Sequence, residues 1–311
     1  MKFSKKVFAV GLALSAAFAL TACSNKGQSK SADNYTPKEL NVQFVPSVQA
    51  NKISAKAKPL AKLLQKKLGI PVHVTVSTDN TALVEAMASK KVDVGFLPSD
   101  AYVMAHDRKV ADPLLKAERP EYAEPSGKMT KTLSDKYGSE IVVKKGSKIK
   151  SWKDLKGKKI TVQDPTSTSG YILPVAELYE KGLNVVKDDT LVNVKGHDQG
   201  IMSVLNGDTD AAFVFKDARS LLAKDDPKIF DKVTPIYFTK EVPNDTISVR
   251  GDMSKSFRKK LSKAFKEIIK TKEGAHILNN IYDHYGYSNA KDSDYNIIRK
   301  YQKEARQATS N

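Results

Sequence analysis

The chain reads as an α/β protein of two lobes, each a mixed, mainly parallel sheet flanked by helices. Three observations point there. At 311 residues it is long enough for two folding units of ordinary size. Segments with a two-residue apolar period alternate with segments of helical period, the pattern of strands joined through helices. That alternation runs through once, lapses near residue 137, and then starts again.

The first unit opens with Leu40 to Val45, where apolar and polar residues alternate as in a half-buried strand. Ile53 to Leu68 carries Ala57, Leu60, Leu64 and Leu68 on one helical face, with Gly69 placed to end it and Pro59 to kink it or mark its start. Val72 to Val76 is a second strand. A helix over Thr81 to Ser89 follows, capped by Asp79 or Asn80. Val92 to Leu97 is a third strand, and Ser99 opens another helix.

The second unit has strands at Glu140 to Lys144, Ile160 to Gln163 and Asp210 to Phe215, with a short helix inside Lys148 to Lys159. Asp164 to Gly170 is a loop leading into a helix over Tyr171 to Lys181, and Asp198 to Leu205 is a further helix. After a strand at Thr246 to Val249 come amphipathic helices over Ser254 to Lys270 and Lys272 to Tyr282, then a polar helical tail from Asp294.

Composition narrows function. The formal charge is +17, with 52 Lys and Arg against 35 Asp and Glu, a balance that suits an anionic ligand or surface. A single Cys excludes disulfides and cysteine metal clusters, and five scattered His leave no metal motif. No serine sits in a Gly-x-Ser-x-Gly elbow, and no Gly-rich nucleotide loop is present. The runs Lys66-Lys67, Lys90-Lys91 and Lys158-Lys159 read as solvated faces. No enzymatic constellation and no cofactor is expected.

The first 22 residues read as a signal peptide: Lys2, Lys5 and Lys6 precede about fourteen apolar residues, too few for a membrane span of about 20. Removing those three lysines takes the charge from +17 to +14. Leu20-Thr21-Ala22-Cys23 resembles the lipobox of bacterial lipoproteins. That resemblance implies a lipid on Cys23, a membrane-tethered body outside the cytoplasm, and no nucleic-acid partner. Residues 23–39, rich in Ser, Lys and Asn, then serve as a tether.

Ser167-Thr168-Ser169-Gly170 lies where a strand-to-helix loop delivers a first helical turn. Unpaired N–H groups and the positive dipole end meet there, and three hydroxyls add donors for an anion. Gly170 lets an oxyanion approach the backbone. A helix cap needs only one of these hydroxyls. His197, between Gly196 and Asp198, is either a loop residue or a donor to an oxyanion, adding charge when protonated. Asp217 and Asp245 fit either a helix cap and a turn, or contacts to a protonated oxyanion or a cationic amine.

Ser151 to Ile160, Asp164 to Tyr171, Gly196-His197-Asp198, Val204 to Ala212 and Val242 to Asp245 form an ordered set. It resembles the phosphonate, phosphite and phosphate-binding members of the type II periplasmic-binding-protein family, the solute-binding components of ABC importers. The likeness runs from about Leu40 to Tyr285. It implies a two-lobed fold with the ligand in the cleft, lobe one being 40–137 plus 251–311 and lobe two 138–250. The chain would cross between lobes near Glu140 to Val143 and return near Thr246 to Val249. The resemblance also implies a small phosphorus oxyanion as ligand, an ABC permease with its ATPase subunit as partners, and a monomer. It places Ser167, Thr168, Ser169, Gly170, His197, Asp217 and Asp245 at the ligand. Two lobe-one segments depart from the family. Where aminoalkylphosphonate binders carry aromatics, this chain has Asn80 and Leu97, with Tyr102 or Tyr171 as the alternatives that would compensate, so the substituent on phosphorus stays open and the lobe-one candidates are Ser47 and Asn80. A surface lipoprotein that acts in adhesion without transport is the competing class.

Overall fold

The computed structural model describes residues 34–46, 50–123, 126 and 128–310, without the side chains of 50–57. The described residues all belong to the unit Asp33–Asn311. Cys23 and Ser47 lie outside the described residues.

The first part of the chain runs β1 (Leu40–Phe44), α1 (Ala50–Leu68), β2 (Val72–Val76), α2 (Asn80–Ala88), β3 (Val94–Leu97) and α3 (Ser99–Asp107). A long hairpin follows, β4 (Ala111–Ala123) with β5 (Lys128–Ser134), and then the short β6 (Lys136–Tyr137). Next come β7 (Ser139–Lys144), β8 (Lys159–Val162), α4 (Leu173–Glu180), α5 (Val185–Asp188), β9 (Thr190–Asn193) and α6 (His197–Asn206). The chain continues through β10 (Ala211–Phe215), α7 (Ile229–Lys232), β11 (Val233–Phe238) and β12 (Val242–Pro243). It ends with β13 (Thr246–Arg250), α8 (Lys255–Ile268), α9 (Lys272–Tyr282), β14 (Gly286–Asn289) and α10 (Asn296–Ser310).

Two main sheets result. One is ordered β14-β4-β13-β3-β1-β2 with β5 on β4; the other is β11-β7-β10-β8-β9. Among the described strands, β2-β1-β3 and β9-β8-β10 pair in parallel and the other strand pairs are antiparallel. Local chemistry ends the helices where the patterning expects. Asp79 Oδ1 accepts from Ala82 N at 2.8 Å and so caps α2, and Gly69 closes α1 at φ +70°. Pro59 lies inside α1, so it does not mark the helix start.

Two boundaries differ from the sequence reading. β13 pairs with β3 and β4 in the larger sheet, so Thr246–Arg250 belongs to lobe one and the return crossing lies earlier, where β12 pairs with β6. The last helix, expected with lobe one, packs against lobe two as well. Tyr301 Oη donates to Glu177 Oε1 of α4 at 2.8 Å, and Asn184 Nδ2 donates to Ala308 O at 2.9 Å. An apolar stripe shows that a helix packs but not on which surface.

Candidate functional site

Because β1, β2 and β3 run parallel, their C-terminal ends lie together, and the same holds for β8, β9 and β10. Open α/β sheets gather ligands at such ends. Between the two sets lies a cavity of about 530 Å³. Val45, Asn80 and Pro98 follow the lobe-one strand ends; Ser167, His197 and Phe215 follow or close those of lobe two. The lobes are also bonded across the seam: Asn80 Nδ2 donates to Thr166 O at 3.1 Å, and Asp100 N to Thr168 Oγ1 at 2.8 Å.

The Ser-Thr-Ser-Gly run divides into four roles. Ser167 Oγ accepts from Gly170 N at 3.2 Å, the expected cap, and also lines the cavity. Ile172 N donates to Ser167 O, five residues back, so the helix opens with one wide turn, a feature frequent at functional sites. Thr168 is fully buried and off the cavity wall; its hydroxyl caps α3, whose own flanking residue is Pro98. Ser169 lines the cavity. Gly170 does not line it: a Cβ there would lie 2.0 Å from Gln163 Cγ. Close packing of helix on strand, rather than approach of an oxyanion, therefore requires this glycine.

Gln163 itself was not singled out in the sequence. It is 4% exposed, lines the cavity, and its Nε2 has no hydrogen-bond partner among the described residues. Its place just after β8, ahead of the Asp164 loop, is the signal that could have found it.

His197 is the first residue of α6 and lines the cavity. Its Nδ1 accepts from Phe215 N at 3.3 Å, which leaves Nε2 to carry the proton and act as donor. Burial first, and the nearby Arg119 charge second, lower its pKa to about 3. The imidazole is thus neutral at physiological pH, contrary to the expectation of an added positive charge. Towards the cavity it can offer an N–H donor but no positive charge.

Of the acids, Asp245 lines the cavity and Asp217 does not. Asp217 sits at φ 66°, with Oδ1 3.6 Å from Arg219 Nη2 in a buried cluster that includes Glu140. Tyr102 is likewise off the wall, donating to Asp292 Oδ1 at 2.9 Å. Asn80 is on it. Burial raises the Asp245 pKa, while Arg119 and the Tyr137 hydroxyl pull it back down.

Arg119, in β4, was missed altogether. It reaches the cavity with its side chain 11% exposed and its Nη2 3.5 Å from Asp245 Oδ2. In sequence it sits in a charged stretch before Pro120 that reads as solvent-facing. Asp283 was missed as well: it ends α9 at φ 58°, lines the cavity, and accepts from Tyr122 Oη at 2.8 Å. Burial raises its carboxyl above the usual range.

The family model described as "ABC transporter, phosphonate, periplasmic substrate-binding protein" matches residues 42–295. The chain belongs to this family. It is similar to the phosphate-import protein PhnD of Mycolicibacterium smegmatis, 31% identical over 208 residues, 63% of this chain and 61% of the relative's own length. The phosphonates-binding periplasmic protein of Escherichia coli is 24% identical over 246 residues, 78% of this chain and 69% of that protein. Among solved structures, PhnD1 of Prochlorococcus marinus in complex with methylphosphonate superposes with a TM-score of 0.73 at 21% identity, covering 88% of this chain and 100% of that one. The fold is the two-lobed type II periplasmic-binding-protein fold, and the family comprises substrate-binding components of transporters, not enzymes. No helix among the described residues is long and apolar enough to cross a membrane.

Proposed function

We propose that this chain is the extracytoplasmic solute-binding component of an ABC importer. It captures a phosphonate, phosphite, phosphate or phosphate ester in the cleft and delivers it, as a monomer, to a membrane permease powered by a separate ATPase subunit. One observation carries the reading: Ser169, the His197 imidazole and Gln163 border one cavity at the parallel strand ends of lobe two. Ser169 belongs to the first turn of its helix, so backbone N–H groups add to these donors. A tetrahedral oxyanion with several oxygens can accept from all of them, and hinge closure would exclude water around it. Thermal unfolding with and without phosphate, phosphite and a phosphonate series tests the reading. A ligand at a hundredfold excess over Kd stabilises by about 2.7 kcal/mol. Absence of a shift with every phosphorus compound would sink it.

The sequence around Cys23 adds a lipid anchor to this proposal. Cys23→Ala is expected to leave the folded body intact and release it from the membrane, because the acyl chains would be its hydrophobic attachment. Feeding cells a labelled fatty acid and finding no label on the wild-type protein would remove the anchor.

A further inference from the structure

We infer that Arg119 is a ligand-binding residue that selects phosphorus compounds whose substituent carries a second anionic group over those carrying an amine. This rests on the function proposed above.

The cavity is larger than a bare oxyanion requires. About 530 Å³ falls in the range of sites for ligands of many heavy atoms. The lobes are bonded across the seam at Asn80 and Thr168, so this space belongs to a closed arrangement. The donors proposed for phosphorus stand on lobe two, and Arg119 enters from β4 of lobe one beside the Phe215 ring that also packs on His197, placed to meet a second group of the same ligand.

Arg119 is held for recognition. Its guanidinium carbon lies 5.1 Å from the Phe215 ring centroid and 5.6 Å from that of Tyr137, which packs the group against two aromatic side chains. Nε is buried with no hydrogen-bond partner among the described residues. The Nη2 contact to Asp245, at 3.5 Å, is long beside the 2.7–2.9 Å of a strong charge-assisted bond. A planar donor fork in this condition fits a carboxylate or a second phosphoryl group.

The same geometry disfavours an amine. Among the described residues, six aspartates line the cavity. Asp79, Asp164 and Asp198 accept local bonds from Ala82 N, Thr166 and Gln199 N, Asp225 stands at the wall, and Asp245 already faces Arg119. Asp283 shares the cavity, but its Oδ2 accepts from Tyr122 and burial shifts it towards the neutral form. An ammonium placed near Asp245 or Asp283 would also lie near a buried guanidinium, and like charges in a low-dielectric site repel strongly.

Calorimetry with methylphosphonate, 2-aminoethylphosphonate and phosphonoacetate tests this on the wild-type protein, Arg119→Gln and Arg119→Lys. Wild type should bind phosphonoacetate at least about tenfold more tightly than 2-aminoethylphosphonate. Arg119→Gln should weaken phosphonoacetate roughly 10- to 100-fold, change methylphosphonate by less than about threefold, and spare the amine. Arg119→Lys keeps the charge and should retain part of the preference, which separates recognition from a folding defect. A wild-type preference for the amine, or an Arg119→Gln loss equal across all three, would overturn the selection while leaving the phosphorus site standing. Failure of wild type to bind any of the three would instead overturn the function beneath it.

Discussion

Replacing Thr168 should weaken every ligand by the same factor, because its hydroxyl holds the lobes together and does not line the cavity. Thr168 Oγ1 accepts from Asp100 N across the seam at 2.8 Å, and both residues are buried. Asp100 N is one of the first-turn donors of α3, and no side chain from the flanking residue of that helix caps it. Losing the acceptor leaves a buried N–H unsatisfied in the closed form, at a cost of about 1–3 kcal/mol. In an open form, water can satisfy the same group, so the cost falls on closure. Coupling of that size corresponds to roughly 5- to 150-fold in affinity. Calorimetry of Thr168→Ala and Thr168→Val with phosphate and methylphosphonate should therefore show a parallel loss, and Thr168→Ser should restore most of it. Unfolding midpoints without ligand should move little. A loss that discriminates between the two ligands would instead mean that Thr168 touches the ligand directly.

Gly170→Ala should lower the unfolding midpoint and damage binding together. Its Cβ meets Gln163 Cγ at 2.0 Å, and overpacking costs about 1–3 kcal/mol. Gly69→Ala, at φ +70° in open space, should lose stability without losing binding; midpoints near wild type for Gly170→Ala would contradict the packing role. Asp100 sits in a fully buried site where desolvation raises its pKa to about 7. A folded-state pKa above the unfolded value near 3.9 stabilises fully below that value, and the contribution disappears as pH rises through about 7. Asp100→Asn should thus raise the midpoint at pH 8 and leave it unchanged at pH 4, and an equal effect at both would count against the shift. Asp217→Asn should leave the relative affinities for aminoalkyl and simple phosphonates unchanged, because the Asp217 carboxylate faces Arg219 off the cavity wall. A selective loss of the aminoalkyl ligand in calorimetry would return Asp217 to the site.

The parts of the cavity wall that follow strand ends left marks in the sequence. Ser167, Ser169 and His197 lie directly after β8 and β9, where a turn, a cap and a helix start leave local marks. Arg119 was not legible because β4 hides its own pattern. Pro113 and Pro120 interrupt it, and charged residues sit on a strand that the fold half-buries. Thr168 and Gly170 were placed correctly in the chain but given the wrong work. Hydroxyl and glycine identities reveal what a residue can do locally, whereas the partners Asp100 and Gln163 come from other elements. His197 shows the same limit for charge. Its pKa is set by burial and by Arg119, neither of which its neighbours in sequence disclose.

The central claim is that a phosphorus oxyanion is held at the helix starts of lobe two. A crystal structure with the tightest phosphorus ligand tests it most directly. Oxyanion oxygens should lie within about 3.2 Å of the Ser169 hydroxyl and of His197 Nε2, the reach of an ordinary hydrogen bond. A phosphorus group bound elsewhere, with Ser169 and His197 untouched, would contradict it.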